Sequence, residues 1–142
     1  ASNIMIKNKK FGLIDSQDAL RGNLLYDVAS LIDDVRIKLP KRLKSSLFSY
    51  YLSKTTKIKN DKEKLIAKND FDILSVQRNL KILGIFVRLC KRDFKSSYLK
   101  YLPYIWKLIE LRLKNPIFIN LRYLLDQAVN KKNREKVSFN DS

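Results

Sequence analysis

Asn3 and Asp15 carry oxygen-bearing side chains, and they flank two short apolar runs, Ile4-Met5-Ile6 and Phe11-Gly12-Leu13-Ile14. Between the runs lies a polar connector, Lys7-Asn8-Lys9-Lys10, and this layout predicts a β-hairpin. A hairpin brings its two ends together, so an amide oxygen and a carboxylate would share one small volume. Mg²⁺ prefers hard oxygens and takes only one or two of them from protein, leaving the rest to water and phosphate. The pair therefore suits a Mg²⁺–phosphate site. Asn and Asp at hairpin ends also act as turn-formers and caps, and the pattern by itself leaves both readings open.

The elements that would position this pair are mostly helical. After Gly22-Asn23, Leu24, Leu25, Val28, Leu31, Ile32 and Val35 recur at helical spacing, and Pro40 closes that unit. A second helix is expected from about Pro40 to Ser53, with Leu43, Leu47, Phe48, Tyr51 and Leu52 on its inner face. Residues 54–64 are polar and charged and read as a mobile loop or a frayed helix end. The strongest periodicity runs over residues 70–94, with Asn69 or Asp70 as the cap. Gly84 in its middle costs about 1 kcal/mol relative to Ala, which suggests a close backbone contact there. A further helix starts near Pro103 and stops at Asn115-Pro116. A last one covers about 117–130 with Leu121, Leu124, Leu125 and Val129 buried, and the polar tail from Lys131 reads as loose. The expected fold is mainly α: an N-terminal β-hairpin followed by about five helices.

Composition removes several classes of chemistry. The 142 residues contain one cysteine, Cys90, and no histidine. A classical zinc site, a Ser-His-Asp triad and an internal disulfide are thereby excluded within this chain. Cys90 falls on the apolar stripe of the central helix and reads as a small core residue. No apolar run approaches the roughly 20 residues of a membrane-spanning helix, and the first residues lack a signal-peptide layout. A cytoplasmic protein is expected. The net charge is +16; residues 1–37 balance to zero, so the remainder carries all of it. Lys outnumbers Arg more than two to one, and Arg does not cluster. A compositional drift toward Lys and a functional basic surface are both compatible with that.

The residues around the hairpin resemble a known arrangement. Phosphotransferases of the kinase superfamily carry a catalytic loop ending in Asn, then a hairpin, then a metal-binding Asp. Ala-Ser-Asn-Ile-Met at 1–5 is similar to the end of that loop. Phe-Gly-Leu-Ile-Asp-Ser-Gln-Asp-Ala at 11–19 resembles the metal-binding segment of the aminoglycoside-phosphotransferase family, commonly Ile-Asp-Phe-Gln-Asp-Ala. Tyr26-Asp27-Val28-Ala29-Ser30-Leu31 resembles the Tyr-Asp-Leu-Ala-Ser-Leu helix start that follows it. Within the family, the bacterial N-acetylmuramate/N-acetylglucosamine kinases are the group most similar. They share a helix like Gln77-Arg78-Asn79-Leu80-Lys81-Ile82-Leu83-Gly84-Ile85-Phe86 and a segment like Arg92-Asp93-Phe94-Lys95…Tyr98-Leu99…Leu102-Pro103.

The resemblance implies that residues 1–130 are the C-terminal lobe of a kinase-like domain and 131–142 a polar tail. It implies that Asn3 and Asp15 hold Mg²⁺ on the phosphates of ATP in the complete enzyme, with a sugar as the second substrate. Asp27 would be the buried aspartate that braces the catalytic loop, or else a plain helix cap. Gln77 and Arg78 would line the sugar cleft, or else be the solvated edge of a core helix. Asp18 would support the metal ligands or be a surface acid. Ser16 replaces the family's usual Phe, and Phe94 stands where a Gly is common. The family's catalytic Asp lies five positions before the Asn, which is beyond residue 1 here, as is the nucleotide-binding lobe. The isolated chain is therefore expected to be inactive, as a fragment of a longer protein or the product of a truncated gene. The alternative is a basic helical module that binds nucleic acid or another polyanion.

Overall fold

A computed structural model of the chain describes residues 4–14 and 21–136. It is mainly α with an N-terminal two-stranded antiparallel hairpin. Strands β1 (Ile4–Lys7) and β2 (Lys10–Leu13) pair in the register Ile4 to Leu13 through Lys7 to Lys10. Asn8 and Lys9 turn the chain with φ of 51° and 61°. Two successive left-handed residues make the tight turn whose twist matches that of paired strands. Met5, Ile6 and Phe11 are exposed on this hairpin, Phe11 to 76%.

Among the described residues, six α-helices follow: α1 (Leu25–Ile32), α2 (Lys41–Lys54), α3 (Asp61–Asp93), α4 (Leu102–Arg112), α5 (Ile119–Ala128) and α6 (Lys131–Arg134). Short 3-10 turns over Ser96–Tyr101 and Pro116–Phe118 lead into α4 and α5. Pro40 stands at the N-cap of α2, where its missing N–H costs nothing, and Pro103 falls in the first turn of α4.

The long helix begins earlier than the periodicity over 70–94 suggests. Asn60 accepts a hydrogen bond from the Glu63 N–H at 2.9 Å, and the Glu63 carboxylate accepts from the Asn60 N–H at 3.3 Å. This capping box satisfies two orphan donors and fixes the start at Asp61. Asn69 and Asp70 lie inside the helix and do not cap it. At 33 residues, α3 is about 50 Å long.

Two hydrophobic clusters lie along α3. The first joins Leu25, Ala29 and Ile32 of α1 to Ala67 and Phe71 of α3, with Leu47, Phe48, Tyr51 and Leu52 of α2 packed on them. The Phe48 and Phe71 rings meet at 4.5 Å between centroids. The second joins Val76 and Phe86 of α3 to Ile105, Trp106 and Ile109 of α4 and to Phe118. On α2, Leu43 is exposed and lies outside the inner face expected for it. Leu121, Leu125 and Val129 pack only partly, and Leu124 is exposed, contrary to the burial expected along α5. Gly84 has no heavy atom within 4 Å of where a Cβ would sit. The close contact expected there is absent.

Residues 131–136, read from sequence as the start of a loose tail, are tied down through Arg134. Its guanidinium pairs with Glu110 at 3.2 Å and Asp126 at 2.9 Å and lies 4.8 Å from the centre of the Trp106 ring. A Lys-rich stretch looks loose as a sequence, yet one Arg with two carboxylates and an aromatic face anchors it. Among the described residues, no helix is long and apolar enough to cross a membrane.

Candidate functional site

Polar side chains and shape come together at several places among the described residues, two of them along α3. One is a groove of about 370 Å³ between the entry to α1, the end of α2 and the first turns of α3. The other is a buried polar hub between the two hydrophobic clusters.

The hub centres on Asp33, fully buried at the C-cap of α1. A carboxylate there faces the negative end of the helix dipole and has left water, so it needs cations. Arg112 Nε donates to Asp33 Oδ2 at 2.8 Å and Nη2 donates to Oδ1 at 3.1 Å. Lys44 Nζ donates to Asp33 Oδ1 at 2.8 Å and to the Ile32 carbonyl at 2.7 Å. The Ser75 hydroxyl donates to Oδ2 at 2.6 Å. Burial pushes the Asp33 carboxyl up, but Arg112, Lys44 and Ser75 outweigh it and hold the group below the ordinary carboxylate range. Asp72 extends the hub, 3.6 Å from Arg112 Nη1 and accepting from Asn115 Nδ2 at 3.0 Å. Two hydrogen bonds from Lys44 and two from Arg112 end within this hub, which holds α1, α2, α3 and α4 together.

The groove is different, because its polar atoms are only partly committed. Asn23 Nδ2 donates to Asp70 Oδ2 at 2.9 Å, while Asn23 Oδ1 accepts from the Leu25 N–H at 2.9 Å. The amide is thus oriented from both ends. A carboxylate offers about four lone-pair sites, and this bond uses one. Glu63 and Lys57 also line the groove, as do Leu24 and Ile66, each about half exposed. Small-molecule sites have this make-up: an apolar lining, a few fixed polar groups and a volume above about 300 Å³.

The residues singled out from sequence are distributed unevenly. Asn3, Asp15 and Asp18 lie outside the described residues. Asp27 is exposed in the first turn of α1, so it is not the buried side chain expected of it. Nor does it cap the helix, since Asn23 supplies the side-chain bond at that end and Leu24 is the N-cap residue. Gln77 is exposed and Arg78 half-buried on α3. Arg78 Nη1 and Asn79 Oδ1 are both buried without a hydrogen-bond partner. Gln77 falls two helical turns beyond Asp70 on the same face of α3, but neither it nor Arg78 lines the groove. Among the described residues, no group of three or more His, Cys, Asp or Glu is placed to hold a metal ion. Sequence reasoning missed the groove, whose signal was the Asn60-to-Glu63 capping box that carries α3 back past Ile66 and Asp70. It also missed the hub, whose members carry no local signature.

No protein-family model matches the chain. Curated relatives do. Over 112 residues, or 76% of this chain, it is 33% identical to a protein of Pseudomonas aeruginosa. Over 103 residues, 71% of the chain, it is 34% identical to one of Pseudomonas putida. Over 120 residues, 84% of the chain, it is 26% identical to one of Caulobacter vibrioides. The chain is similar to N-acetylmuramate/N-acetylglucosamine kinases. These matches cover 32%, 30% and 32% of the three kinases' own lengths. The chain thus spans about a third of the length of these kinases. The resemblance to the broader aminoglycoside-phosphotransferase family rests on the residues quoted for it alone.

Proposed function

We propose that this chain is the C-terminal helical lobe, residues 1–130, of an ATP-dependent kinase of an N-acetylated amino sugar, with 131–142 as an appended tail. The observation that carries this reading is the 33% identity over 112 residues to the Pseudomonas aeruginosa kinase. Asn3 and Asp15 are the proposed oxygen ligands of Mg²⁺, whose charge offsets that of the phosphoryl group in transfer. Asp18 supports them, and Gln77 and Arg78 lie toward the sugar. The buried unpartnered nitrogen of Arg78 supports that placement, because such a donor is costly until something accepts from it. The complete protein acts in the cytoplasm on a nucleotide and a sugar.

The test is a chimera in which the matched segment of the Pseudomonas aeruginosa kinase is replaced by this chain's residues. The expected result is ATP-dependent phosphorylation of N-acetylglucosamine that Asp15→Asn abolishes. A folded chimera whose turnover ignores Asp15→Asn sinks the reading. The coding sequence upstream of Ala1 gives a second check: an Asp codon five positions before Asn3 is expected.

A further inference from the structure

The outer side of α5 and the basic cavity next to it have no part in the phosphoryl-transfer chemistry. We propose that together they form a docking surface for an anionic lipid membrane, with Ile119, Tyr123 and Leu124 entering the interface and the cavity taking a lipid phosphate.

Apolarity is the first argument. On α5, Ile119 is 73% exposed, Tyr123 70% and Leu124 62%. Ile119 and Tyr123 stand one turn apart on one face of the helix, and Asn120 and Gln127 beside them are uncharged. Leu121 and Leu125, on the opposite side, make the contacts with the second hydrophobic cluster. The helix is thus apolar on both sides, and one side is left in water. A large exposed apolar patch marks an interaction surface.

Charge is the second argument. A cavity of about 230 Å³ is lined by Lys114, Arg122, Lys131 and Arg134 and by Glu110 and Asp126, a net +2. Buried Arg134 answers both carboxylates, Glu110 at 3.2 Å and Asp126 at 2.9 Å. Arg122 and Lys131, both mostly exposed, approach Asp126 only at 4.0 and 3.9 Å. Their charge is therefore largely open to an incoming anion. Arg122 lies one turn from Ile119 on α5, so the cavity and the apolar face share an edge.

The combination selects the partner. A nucleic-acid backbone would satisfy the cations and leave Ile119 and Leu124 in water. A second copy of a chain at +16 is repelled by its own charge. An anionic bilayer offers phosphates to the cations and acyl chains to the aliphatic side chains, and the interface between them is where Tyr is favoured. Lying on such a surface needs no spanning helix.

The test is co-sedimentation of the chain with vesicles of phosphatidylcholine alone and of phosphatidylcholine mixed equally with phosphatidylglycerol. Binding is expected to the mixed vesicles and not to phosphatidylcholine alone. The double variant Ile119→Ser, Tyr123→Ser keeps the net charge and is expected to bind the mixed vesicles about tenfold more weakly, since apolar area contributes to interfacial binding. Lys114→Gln with Arg122→Gln keeps the apolar face and is expected to weaken binding as well. Tyr123→Trp is expected to emit at shorter wavelength when mixed vesicles are added. All of these positions are exposed, and circular dichroism reports whether each variant has kept its helices. No binding to the mixed vesicles, or binding that the double serine variant leaves unchanged, would overturn the inference. So would mixed-sequence RNA displacing the chain from the vesicles while its own binding ignores the serine substitutions, which would assign the basic surface to nucleic acid. Self-association abolished by those substitutions, with no vesicle binding, would assign the face to a second copy instead.

Discussion

Arg112 reaches from the end of α4 to Asp33 at the end of α1 and holds it with two hydrogen bonds, at 2.8 and 3.1 Å. The same guanidinium lies 4.7 Å from the centre of the Phe71 ring and 3.6 Å from Asp72. One side chain therefore ties together α1, α3 and α4 at the seam between the two hydrophobic clusters.

Removing that side chain should be costly. Arg112→Ala leaves Asp33 buried with Lys44 and Ser75 alone. Breaking a buried pair from one side costs about 3–5 kcal/mol, because the remaining charge is stranded. A urea melt should show that loss, and Arg112→Lys should recover only part of it, since one ammonium cannot make the paired bonds of a guanidinium. A change within about 0.5 kcal/mol would mean the hub is incidental.

Acid should weaken the fold through the same carboxylate. Burial raises the Asp33 pKa, and Arg112, Lys44 and Ser75 lower it further, to below its ordinary 3.8. A group whose folded pKa is depressed stabilises the fold above its unfolded value. That contribution is lost as pH falls through the folded pKa. The urea midpoint should hold down to about pH 5 and fall below about pH 4. Asp33→Asn, already less stable, should show a shallower acid limb; an identical slope would assign the acid sensitivity to other carboxylates.

Gly84→Ala should stabilise the chain. The position is exposed, inside a helix, with open space where the methyl group would go. The gain expected from helix propensity is about 1 kcal/mol, read as a melting temperature higher by a few degrees. A loss would show that something packs against this site in solution.

Phe94→Gly should stabilise it as well. Phe94 ends α3 in the left-handed region at φ 53°, and its side chain is 89% exposed. A side chain there strains the backbone by about 1 kcal/mol, and so exposed a ring returns little by packing. Thermal melts of the two proteins decide it: an unchanged or lower midpoint would mean the ring has contacts that offset the strain. Gly adopts that conformation freely, which is why the substitution relieves the strain.

Local signals in the amino-acid sequence determined the hairpin, the mainly helical class and the breaks at Pro40 and Asn115-Pro116. Alternation, 3.6-residue periodicity and proline geometry act within a few residues, so they can be read along the chain. The start of α3 was equally local, in Asn60 and Glu63, but the surrounding lysines disguised it as a loop. Tertiary structure alone decided the hub and the groove. Asp33 meets Lys44, Ser75 and Arg112 from 11, 42 and 79 residues away, and Asn23 meets Asp70 from 47. Nothing in the spacing of one Asp among many acids says which cations will neutralise it. That choice is made when helices pack, because only then does leaving water make an unpaired charge too costly to keep.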